Sequence, residues 1–384
     1  MIAVLQIIHK YRGNYELLNL QASLDPARFR TVVCFLSGDP DGHNRLETIA
    51  HKVIYLRSRT GSMRWYNLSL ILRLKRIIDQ EQIQVVNCQQ HRSTPLGVMA
   101  GLLAKSKPII VSTLHGLGTA RTWQRKLLNW LLYRRLFRIV GISEGVSQDI
   151  LAENWGLRPE KVTTIQNGLK YEPFLVDLER QVAKAEILPG MQDRFWFGTA
   201  GRLSEVKNYQ TLIEAFSEAA AALPDSILVI AGQGELEASL KEATHTLGLE
   251  GRVFFLGFRR DIPRLLQSLD VFLLPSLREG LPLALLEAMA AARPAIASRV
   301  GGIPEVVGDS GSAILIDPLD RMALAQAMVQ MRRISPEERA AMGTLARERA
   351  VTKFSAERMI RNYEDLYTAA YARHQGHAGL GRRG

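Results

Sequence analysis

Short apolar segments alternate with amphipathic segments along the chain, and this pattern predicts the fold. In the first half, helical patterns, for example over 65–79, separate the apolar segments 2–8, 29–36, 52–56, 83–88, 108–114 and 138–143. Apolar strands separated by helices are typical of a parallel sheet covered on both faces. The first half is therefore predicted to form a doubly wound α/β domain.

A second series of the same kind occupies the other half, with apolar segments 194–201, 226–232, 252–257, 270–276, 293–298 and 312–317. Between the two series, residues 168–194 contain no clear strand and follow an Asn-Gly turn, which indicates an inter-domain linker. We predict Rossmann-like domains over 1–170 and 171–354, with ligands bound at the carboxyl ends of the strands. The Gly- and Arg-rich tail, 373–384, is predicted to be disordered.

Composition limits the class of protein. The chain has 384 residues, of which 47% are hydrophobic, enough for two large cores. Its two cysteines, Cys34 and Cys88, lie inside apolar segments, which indicates neither disulfides nor a cysteine metal site and favours a reducing cytoplasm. The N-terminal segment lacks the charge and cleavage site of a signal peptide, and no apolar run reaches the ~18 residues of a membrane span. We expect a cytoplasmic protein that is soluble or peripheral to a membrane.

The net charge of +11 is concentrated in the first half. Residues 1–170 hold 24 Lys/Arg and 11 Asp/Glu, a charge of +13. Residues 171–384 hold 25 Lys/Arg and 27 Asp/Glu, a charge of −2. This asymmetry favours a polyanionic partner for the first half, whether a membrane, a nucleic acid or an acidic acceptor. No nucleic-acid-binding motif is present, so we expect no nucleic-acid partner.

The loop after segment 270–276 and the helix predicted to follow it carry two glutamates. Glu279 lies in the loop and Glu287 inside the helix, so their carboxylates could reach different hydroxyls of one ligand. The amides of Gly280 and Leu281 would lie near the helix N-terminus, where free N–H groups and the helix dipole favour a phosphate. Alternatively, the glutamates are a loop charge and a solvated helix charge.

Two further loops follow predicted strands of the second half. Gly201, Arg202 and Lys207 place a glycine turn and two cations at a strand end, which suits a diphosphate, although both cations are also explained as surface charges. Gly232 and Gly234 form a Gly-x-Gly turn, which is typical of a loop that contacts a bound nucleotide. An ordinary strand-to-helix turn explains these two glycines equally well.

One short motif resembles a metal site. Asp39, Pro40 and Asp41 form an Asp-x-Asp sequence, but Gly38 and Gly42 flank it directly after a strand, which indicates a turn. We predict no metal and no other cofactor.

Residues 276–290 closely resemble the signature of the family 4 retaining glycosyltransferases, in which seven residues that include Gly and Pro separate two glutamates. The resemblance extends over residues 1–372. It implies a GT-B fold, in which an N-terminal acceptor domain and a C-terminal donor domain face each other across a cleft. A final helix, here 355–372, crosses back to the first domain.

The same resemblance implies an activity. The expected reaction moves a hexose-type sugar, with retention, from a nucleotide diphosphate sugar, which the resemblance implies to be a UDP-sugar, to a glycan or lipid-linked acceptor. Envelope polysaccharide or lipopolysaccharide synthesis is the expected setting. A front-face reaction, in which the departing phosphate oxygen takes the acceptor proton, requires no protein base.

Roles for the donor-binding residues follow from the resemblance. Glu287 is expected to bind the donor ribose and Glu279 the hydroxyls of the transferred sugar. The amides of Gly280 and Leu281 are expected near the diphosphate and sugar.

The remaining donor contacts are also assigned by resemblance. Arg202 and Lys207 would clamp the diphosphate and stabilise the charge that grows on the leaving phosphate. Phe258 and Arg259 would neighbour the base, and Gly232 would line the nucleotide.

In the first half, His115 follows segment 108–114 and matches a family histidine that contacts the donor sugar, although a lone histidine is often structural. Gly13 stands where relatives carry a Gly-Gly turn near the phosphates. The predicted catalytic residues are His115, Arg202, Lys207 and Glu279.

Residues 121–138 predict docking on an anionic inner-membrane surface. Six cations, two tryptophans and a leucine stripe at helical spacing are typical of helices that lie in a lipid interface. Alternatively, the leucines pack on the sheet and the cations are solvated. The predicted membrane-facing residues are Arg121, Trp123, Arg125, Lys126, Trp130, Arg134 and Arg135.

Two other functions compete with the transferase. A nucleotide-sugar epimerase on the same fold would need acid and base groups at the sugar and no acceptor surface. A basic nucleic-acid-binding protein is favoured only by the N-terminal charge.

Overall fold

The structure, a computed structural model, describes residues 1–11, 13, 16–58, 66–176 and 178–380, without the side chains of 376–380. The chain forms two compact units. The N-terminal unit contains Met1–Gly168 and the residues from Ala356 onward, and the C-terminal unit contains Leu169–Ser355.

The N-terminal unit is built on a seven-stranded sheet. Its strands are Ile2–Lys10 (β1), Phe29–Ser37 (β2), Lys52–Tyr55 (β3), Val85–Gln89 (β4), Ile109–Leu114 (β5), Arg138–Gly141 (β6) and Val162–Thr164 (β7). The order is β3-β2-β1-β4-β5-β6-β7, with every neighbouring pair parallel. The reversal beside β1 is the mark of a doubly wound sheet.

Six helices of this unit connect the strands. They are Glu16–Ala22 (α1), Leu46–Ile49 (α2), Leu68–Gln80 (α3), Thr94–Leu103 (α4), Trp123–Tyr133 (α5) and Glu144–Glu153 (α6). Helix α3 was expected from residue 65, which lies outside the described residues; Asn67 caps it by accepting a hydrogen bond from the Leu70 amide. The Ser143 hydroxyl caps α6 by accepting a hydrogen bond from the Val146 amide at 3.1 Å.

The C-terminal unit repeats this architecture with six parallel strands. They are Phe195–Ala200 (β8), Ser226–Ala231 (β9), Val253–Gly257 (β10), Val271–Leu274 (β11), Ala295–Ser298 (β12) and Ala313–Ile316 (β13). The order is β10-β9-β8-β11-β12-β13. The two doubly wound parallel sheets predicted from the apolar segments are thereby confirmed.

Eight helices belong to the C-terminal unit within the described residues. They are Arg180–Ile187 (α7), Tyr209–Ala219 (α8), Glu237–Thr246 (α9), Ile262–Ser268 (α10), Leu283–Ala290 (α11), Ile303–Val307 (α12), Arg321–Arg333 (α13) and Pro336–Lys353 (α14).

From Leu169 onward, the described residues of the predicted linker, 168–194, belong to the C-terminal unit. The Tyr171 hydroxyl donates to the Phe354 carbonyl oxygen at 2.5 Å, and buried Lys184 on α7 forms an ion pair with Asp270 at 2.8 Å. Sequence patterning missed this packing because α7 has only eight residues and buries a lysine, which an apolar pattern does not predict.

The last helix, Ala356–Leu380 (α15), packs on the N-terminal unit. Tyr363 and Tyr367 are fully buried, and Asn87 Nδ2 on β4 donates to the Tyr367 hydroxyl at 2.7 Å. The helix continues past residue 372, where a disordered tail was predicted to follow. His374 extends the contact because its Nε2 lies 2.8 Å from the Ser106 carbonyl oxygen.

Candidate donor site and a basic helix

The carboxyl edge of the C-terminal sheet brings most of the predicted site residues together. Because its strands are parallel, the loops that follow β8, β9, β10 and β11 leave the sheet at one edge. Backbone hydrogen bonds join these loops: the Leu277 amide donates to the Val206 carbonyl oxygen, and the Gly232 amide to that of Gly257, both at 2.8 Å.

Lys207 and Glu279 form an ion pair at this edge. Lys207 Nζ lies 2.7 Å from Glu279 Oε1, and the Ser276 hydroxyl donates to the same oxygen at 2.7 Å. The two side chains are only 21% and 12% exposed. The Lys207 ammonium is therefore held in place by the Glu279 carboxylate. An anion of higher charge could take the place of this carboxylate.

Glu287 is the fifth residue of α11. Burial raises the pKa of its carboxyl from 4.5 to about 7, and the nearby Lys207 ammonium only partly opposes this. Over the part of the chain that the structure describes, the carboxyl has no hydrogen-bond partner. A half-buried carboxyl with unused acceptors is suited to binding ligand hydroxyls.

Gly280 and Leu281 precede α11 directly. The helix begins at Leu283, with Pro282 as its N-cap. The Leu281 side chain is 5% exposed and anchors the loop, while the Glu279 carbonyl oxygen accepts a hydrogen bond from the Gly302 amide at 3.4 Å.

Arg202 is placed differently from Lys207. Its guanidinium pairs with Glu235 at 3.0 Å, and the two side chains are 65% and 54% exposed. An exposed pair of this kind contributes little to stability. Arg202 can therefore leave Glu235 for a phosphate at low cost.

Gly232 is explained by close packing of loops. A Cβ atom on Gly232 would lie 1.8 Å from the Gly201 carbonyl oxygen, and one on Gly234 would lie 2.1 Å from that of Leu203. Only glycine allows this approach, so the strand-to-helix turn accounts for both residues. A role of Gly232 in donor binding stays a prediction.

Phe258 follows β10 and is 66% exposed, although large apolar side chains are usually buried. Next to it, Arg259 forms two hydrogen bonds with Asp261, at 3.0 and 2.5 Å. The structure thus leaves an aromatic face open beside a fixed guanidinium, and bases stack on such faces.

In the N-terminal unit, His115 directly follows β5. Its Nε2 lies 2.7 Å from Gln89 Oε1, and burial lowers the pKa of the imidazole to about 4. The ring is therefore neutral at physiological pH.

Buried glutamines determine which ring nitrogen of His115 carries the proton. Gln6 Nε2 donates to the Gln21 carbonyl oxygen at 2.7 Å, which directs Gln6 Oε1 towards Gln89 Nε2, 3.3 Å away. Gln89 Oε1 must then accept from His115 Nε2–H, and Nδ1 is left as an acceptor. Sequence reasoning missed this pair, although Gln6 interrupts an otherwise apolar strand, a signal that could have shown it.

Gly13 has φ +92°, a conformation that favours glycine, and no atom lies within 4 Å of the position of a Cβ. Residues 12, 14 and 15 lie outside the described residues. Gly13 is thus not placed against other predicted site residues.

The Asp-x-Asp sequence is a loop whose carboxylates have protein partners. Asp41 accepts hydrogen bonds from the Tyr11 hydroxyl at 2.7 Å and the His43 amide at 2.9 Å, and Asp39 pairs with Arg57 at 3.3 Å. Among the described residues, no cluster of three or more His, Cys, Asp or Glu side chains could hold a metal ion.

Helix α5 leaves an apolar stripe exposed. Trp123, Leu127 and Leu131, one turn apart, are 63%, 43% and 53% exposed, whereas Leu132 and Tyr133 are buried. Three of the predicted membrane-facing cations are exposed, namely Arg121, Arg134 and Arg135. The other two, Arg125 and Lys126, are half-buried, and Lys126 pairs with Glu153 at 3.3 Å; Trp130 is also half-buried. None of the helices in the described ranges has both the length and the apolar character of a membrane span.

Comparisons with known proteins match both units. A family model described as "Glycosyltransferase Family 4" matches residues 17–172, and one described as "Glycosyl transferases group 1" matches residues 185–349. The UDP-Gal:alpha-D-GlcNAc-diphosphoundecaprenol alpha-1,3-galactosyltransferase of Escherichia coli is 30% identical over 78% of this chain and 81% of its own. The N-acetyl-alpha-D-glucosaminyl L-malate synthase of Bacillus anthracis is 27% identical over 79% of each.

Among solved structures, HepE of Anabaena in complex with UDP superposes with a TM-score of 0.82 at 21% identity, covering 96% of this chain and all of its own. This likeness shows the GT-B fold.

Proposed function

The chain belongs to the family 4 glycosyltransferases, and on that premise we propose that it transfers a hexose-type sugar from a UDP-sugar to a glycan or lipid-linked acceptor. The product retains the anomeric configuration of the donor. The proposed setting is envelope polysaccharide or lipopolysaccharide synthesis on the cytoplasmic face of the inner membrane.

The grouping of Lys207, Glu279 and Glu287 carries this proposal. Lys207 is held by Glu279 at 2.7 Å, and the charge of Lys207 also acts on Glu287. A diphosphate bears more negative charge than Glu279 and competes for the ammonium. Glu279 is then released to accept hydrogen bonds from the sugar, while Glu287 accepts those of the ribose.

The names of similar proteins support the donor class. The Escherichia coli relative is named for UDP-Gal, and HepE structures are described as complexes with UDP and with UDP-glucose. Uridine is therefore the base that we propose, with Phe258 as its stacking partner.

In the proposed reaction, the bond between the anomeric carbon and the donor phosphate oxygen breaks while the acceptor oxygen bonds to the same face of that carbon. The departing phosphate oxygen takes the acceptor proton. Lys207 and Arg202 stabilise the negative charge on the leaving diphosphate. Neutral His115 accepts a hydrogen bond from a sugar hydroxyl through Nδ1.

Donor binding is tested by a thermal-shift panel of nucleoside diphosphates. At 100 times its Kd, UDP should stabilise the fold by about 2.7 kcal/mol. Lys207→Ala should lose most of this stabilisation, whereas Lys353→Ala, which removes an exposed lysine of the same unit, should keep it. Equal responses of the two variants would show that Lys207 does not bind the diphosphate.

The two glutamates are separated by comparing UDP with the complete sugar donor. Glu287→Ala should weaken binding of both, whereas Glu279→Ala should mainly slow reaction of the sugar donor. Equal losses of UDP affinity would contradict this division.

The reaction type is tested with a labelled donor. A retained anomeric linkage to an acceptor supports the transferase, while a donor with an inverted hydroxyl would indicate an epimerase.

Turnover should be unchanged by EDTA, and a manganese requirement would refute the metal-free mechanism. A salt-dependent gel shift with DNA, without turnover, would favour the nucleic-acid-binding alternative.

Docking of α5 on an anionic membrane is part of the proposal. The exposed stripe of Trp123, Leu127 and Leu131 supports it, because lipid tails would cover apolar area that is in contact with water. Each nearby cation adds about 1 kcal/mol on an anionic leaflet.

Co-sedimentation with phosphatidylglycerol vesicles tests the docking. Replacing all three stripe residues with Ser should abolish binding without unfolding the protein, since their side chains are exposed, while Leu319→Ser, at a 78% exposed site of the C-terminal unit, should have no effect. Replacing Arg125, Lys126, Arg134 and Arg135 with Ser should also reduce binding. If the parent protein stays in the supernatant at low salt, α5 does not dock.

A further inference from the structure

Two neighbouring cavities open at the amino-terminal edge of the N-terminal sheet, where β5, β6 and β7 begin. Their volumes are 470 and 350 Å³. Arg134, Lys161 and Arg373 line both. This edge is at the other end of the strands from His115, so the cavities are separate from the proposed donor site.

The guanidinium groups of Arg134 and Arg373 are positioned by aromatic rings rather than by carboxylates. That of Arg134 lies 3.7 Å from the centroid of the Trp130 ring, and that of Arg373 lies 5.7 Å from the centroid of the Phe137 ring. Neither forms an ion pair or a side-chain hydrogen bond with any described residue. Stacking of this kind fixes the planar group and leaves its N–H edges available.

The lining of both cavities contains no aspartate or glutamate. Lys161 lies among the cations, where its ammonium donates to the carbonyl oxygens of Arg134, at 3.5 Å, and of Leu136. Burial, followed by repulsion from Arg373, lowers the pKa of Lys161. An anion in the cavity would relieve this repulsion.

Tyr133, whose hydroxyl is buried, also lines the larger cavity. Tyr133 is 3% exposed, and its hydroxyl oxygen has no hydrogen-bond partner. Burial raises the pKa of Tyr133, so the group remains an O–H donor. The Trp130 indole N–H likewise lacks a partner within the described chain. Leaving a buried donor such as the Tyr133 hydroxyl unpaired is costly unless a ligand or water accepts from it.

We propose that these cavities form a second binding site, for a phosphate group that the Arg134 and Arg373 guanidiniums and the Tyr133 hydroxyl bind together. Guanidinium forks match phosphate oxygens, and every unpaired group named here is a donor. Trp155, which is 51% exposed and lines the larger cavity, offers an apolar face to the remainder of the ligand. The phosphate could belong to a soluble sugar phosphate or to an anionic lipid headgroup.

The first experiment is a titration of the ¹⁵N-labelled full chain with inorganic phosphate, followed at the indole N–H resonance of Trp130, assigned with Trp130→Phe. A saturable shift is expected. Arg373→Gln should weaken the affinity by about tenfold, as expected for a lost charged hydrogen bond. Arg361→Gln, which removes an exposed arginine of the same helix, is the matched control and should leave it unchanged.

Tyr133→Phe separates a binding role from a structural one. Because the hydroxyl has no partner in the free protein, its removal should leave the melting temperature equal or higher and still weaken phosphate binding several-fold. A shift that does not saturate, or that is the same in parent, Arg373→Gln and Tyr133→Phe, would overturn the proposal.

A second titration distinguishes the two sources of phosphate. Glucose 1-phosphate and vesicles containing phosphatidylglycerol are compared in the parent and in Arg373→Gln. Competition by glucose 1-phosphate alone assigns a soluble ligand. Vesicle binding that Arg373→Gln weakens while Arg361→Gln does not assigns a lipid headgroup, and insensitivity of both probes to Arg373→Gln refutes the site.

Discussion

Glu287→Gln should stabilise the free protein at alkaline pH while weakening donor binding. The carboxyl has a pKa of about 7 in the folded protein, against 4.5 in the absence of burial. Between pH 4.5 and pH 7, the folded state therefore keeps a proton that the unfolded state has lost. Stability therefore falls as the pH rises from 4.5 through 7. Glutamine, neutral at every pH, removes this loss.

The magnitude follows from the pKa. At 1.36 kcal/mol per pKa unit, a rise from 4.5 to about 7 corresponds to about 3 kcal/mol. The side chain is half-buried and retains some solvent, so we expect Glu287→Gln to gain about 1–2 kcal/mol over the parent at pH 8. Near pH 5 the two proteins should differ little.

Amide hydrogen exchange of peptides covering α11 measures the effect in the C-terminal unit itself. Parent, Glu287→Gln and the control Glu348→Gln, at an exposed position of α14, are compared from pH 5 to 8, each with and without UDP. UDP should protect the parent and the control more than Glu287→Gln. If the difference in protection between Glu287→Gln and the parent does not change with pH, the carboxyl is not held as an unpaired, desolvated group, and the reasoning fails.

Three further results are expected. Lys207→Ala should lower turnover about 10²-fold or more in a protein that still folds, and near-normal kcat would remove Lys207 from the mechanism. His115 should remain neutral, protonated on Nε2, from pH 6 to 8 in ¹⁵N NMR, and a titration near pH 6.5 would contradict its burial against Gln89. Tyr367→Phe should cost about 1–3 kcal/mol of unfolding free energy by removing the acceptor of the buried Asn87 Nδ2, so a neutral effect in urea unfolding would show that this hydrogen bond is dispensable.

The two parallel sheets were predictable because strand burial is a local property. Parallel strands covered on both faces are apolar along their whole length, and the twelve apolar segments coincide with β1 to β6 and β8 to β13 within a few residues. Strand β7, Val162–Thr164, was missed because it has only three residues, two of them threonines. The predicted phosphate and sugar loops also lie where those strands end.

Pairings between distant residues were not predictable from local patterns. The partnership of Lys207 with Glu279 joins residues 72 positions apart, and nothing in either loop alone distinguishes it from a solvated charge. The ion pair of Arg202 with Glu235 and the hydrogen bond between the Gln6 and Gln89 amides also join distant residues that no local pattern relates. Such contacts depend on strand register and loop packing, which a single sequence does not specify.

The return of α15 to the N-terminal unit has a consequence for synthesis on the ribosome. Tyr363 and Tyr367 complete the core of a unit whose other residues are made first, and the whole of Leu169–Ser355 is translated in between. At about 5–20 residues per second, that delay is on the order of 10–40 s. During it, the apolar surface that α15 will cover stays open to solvent, so the nascent chain should depend on chaperones until its last helix emerges.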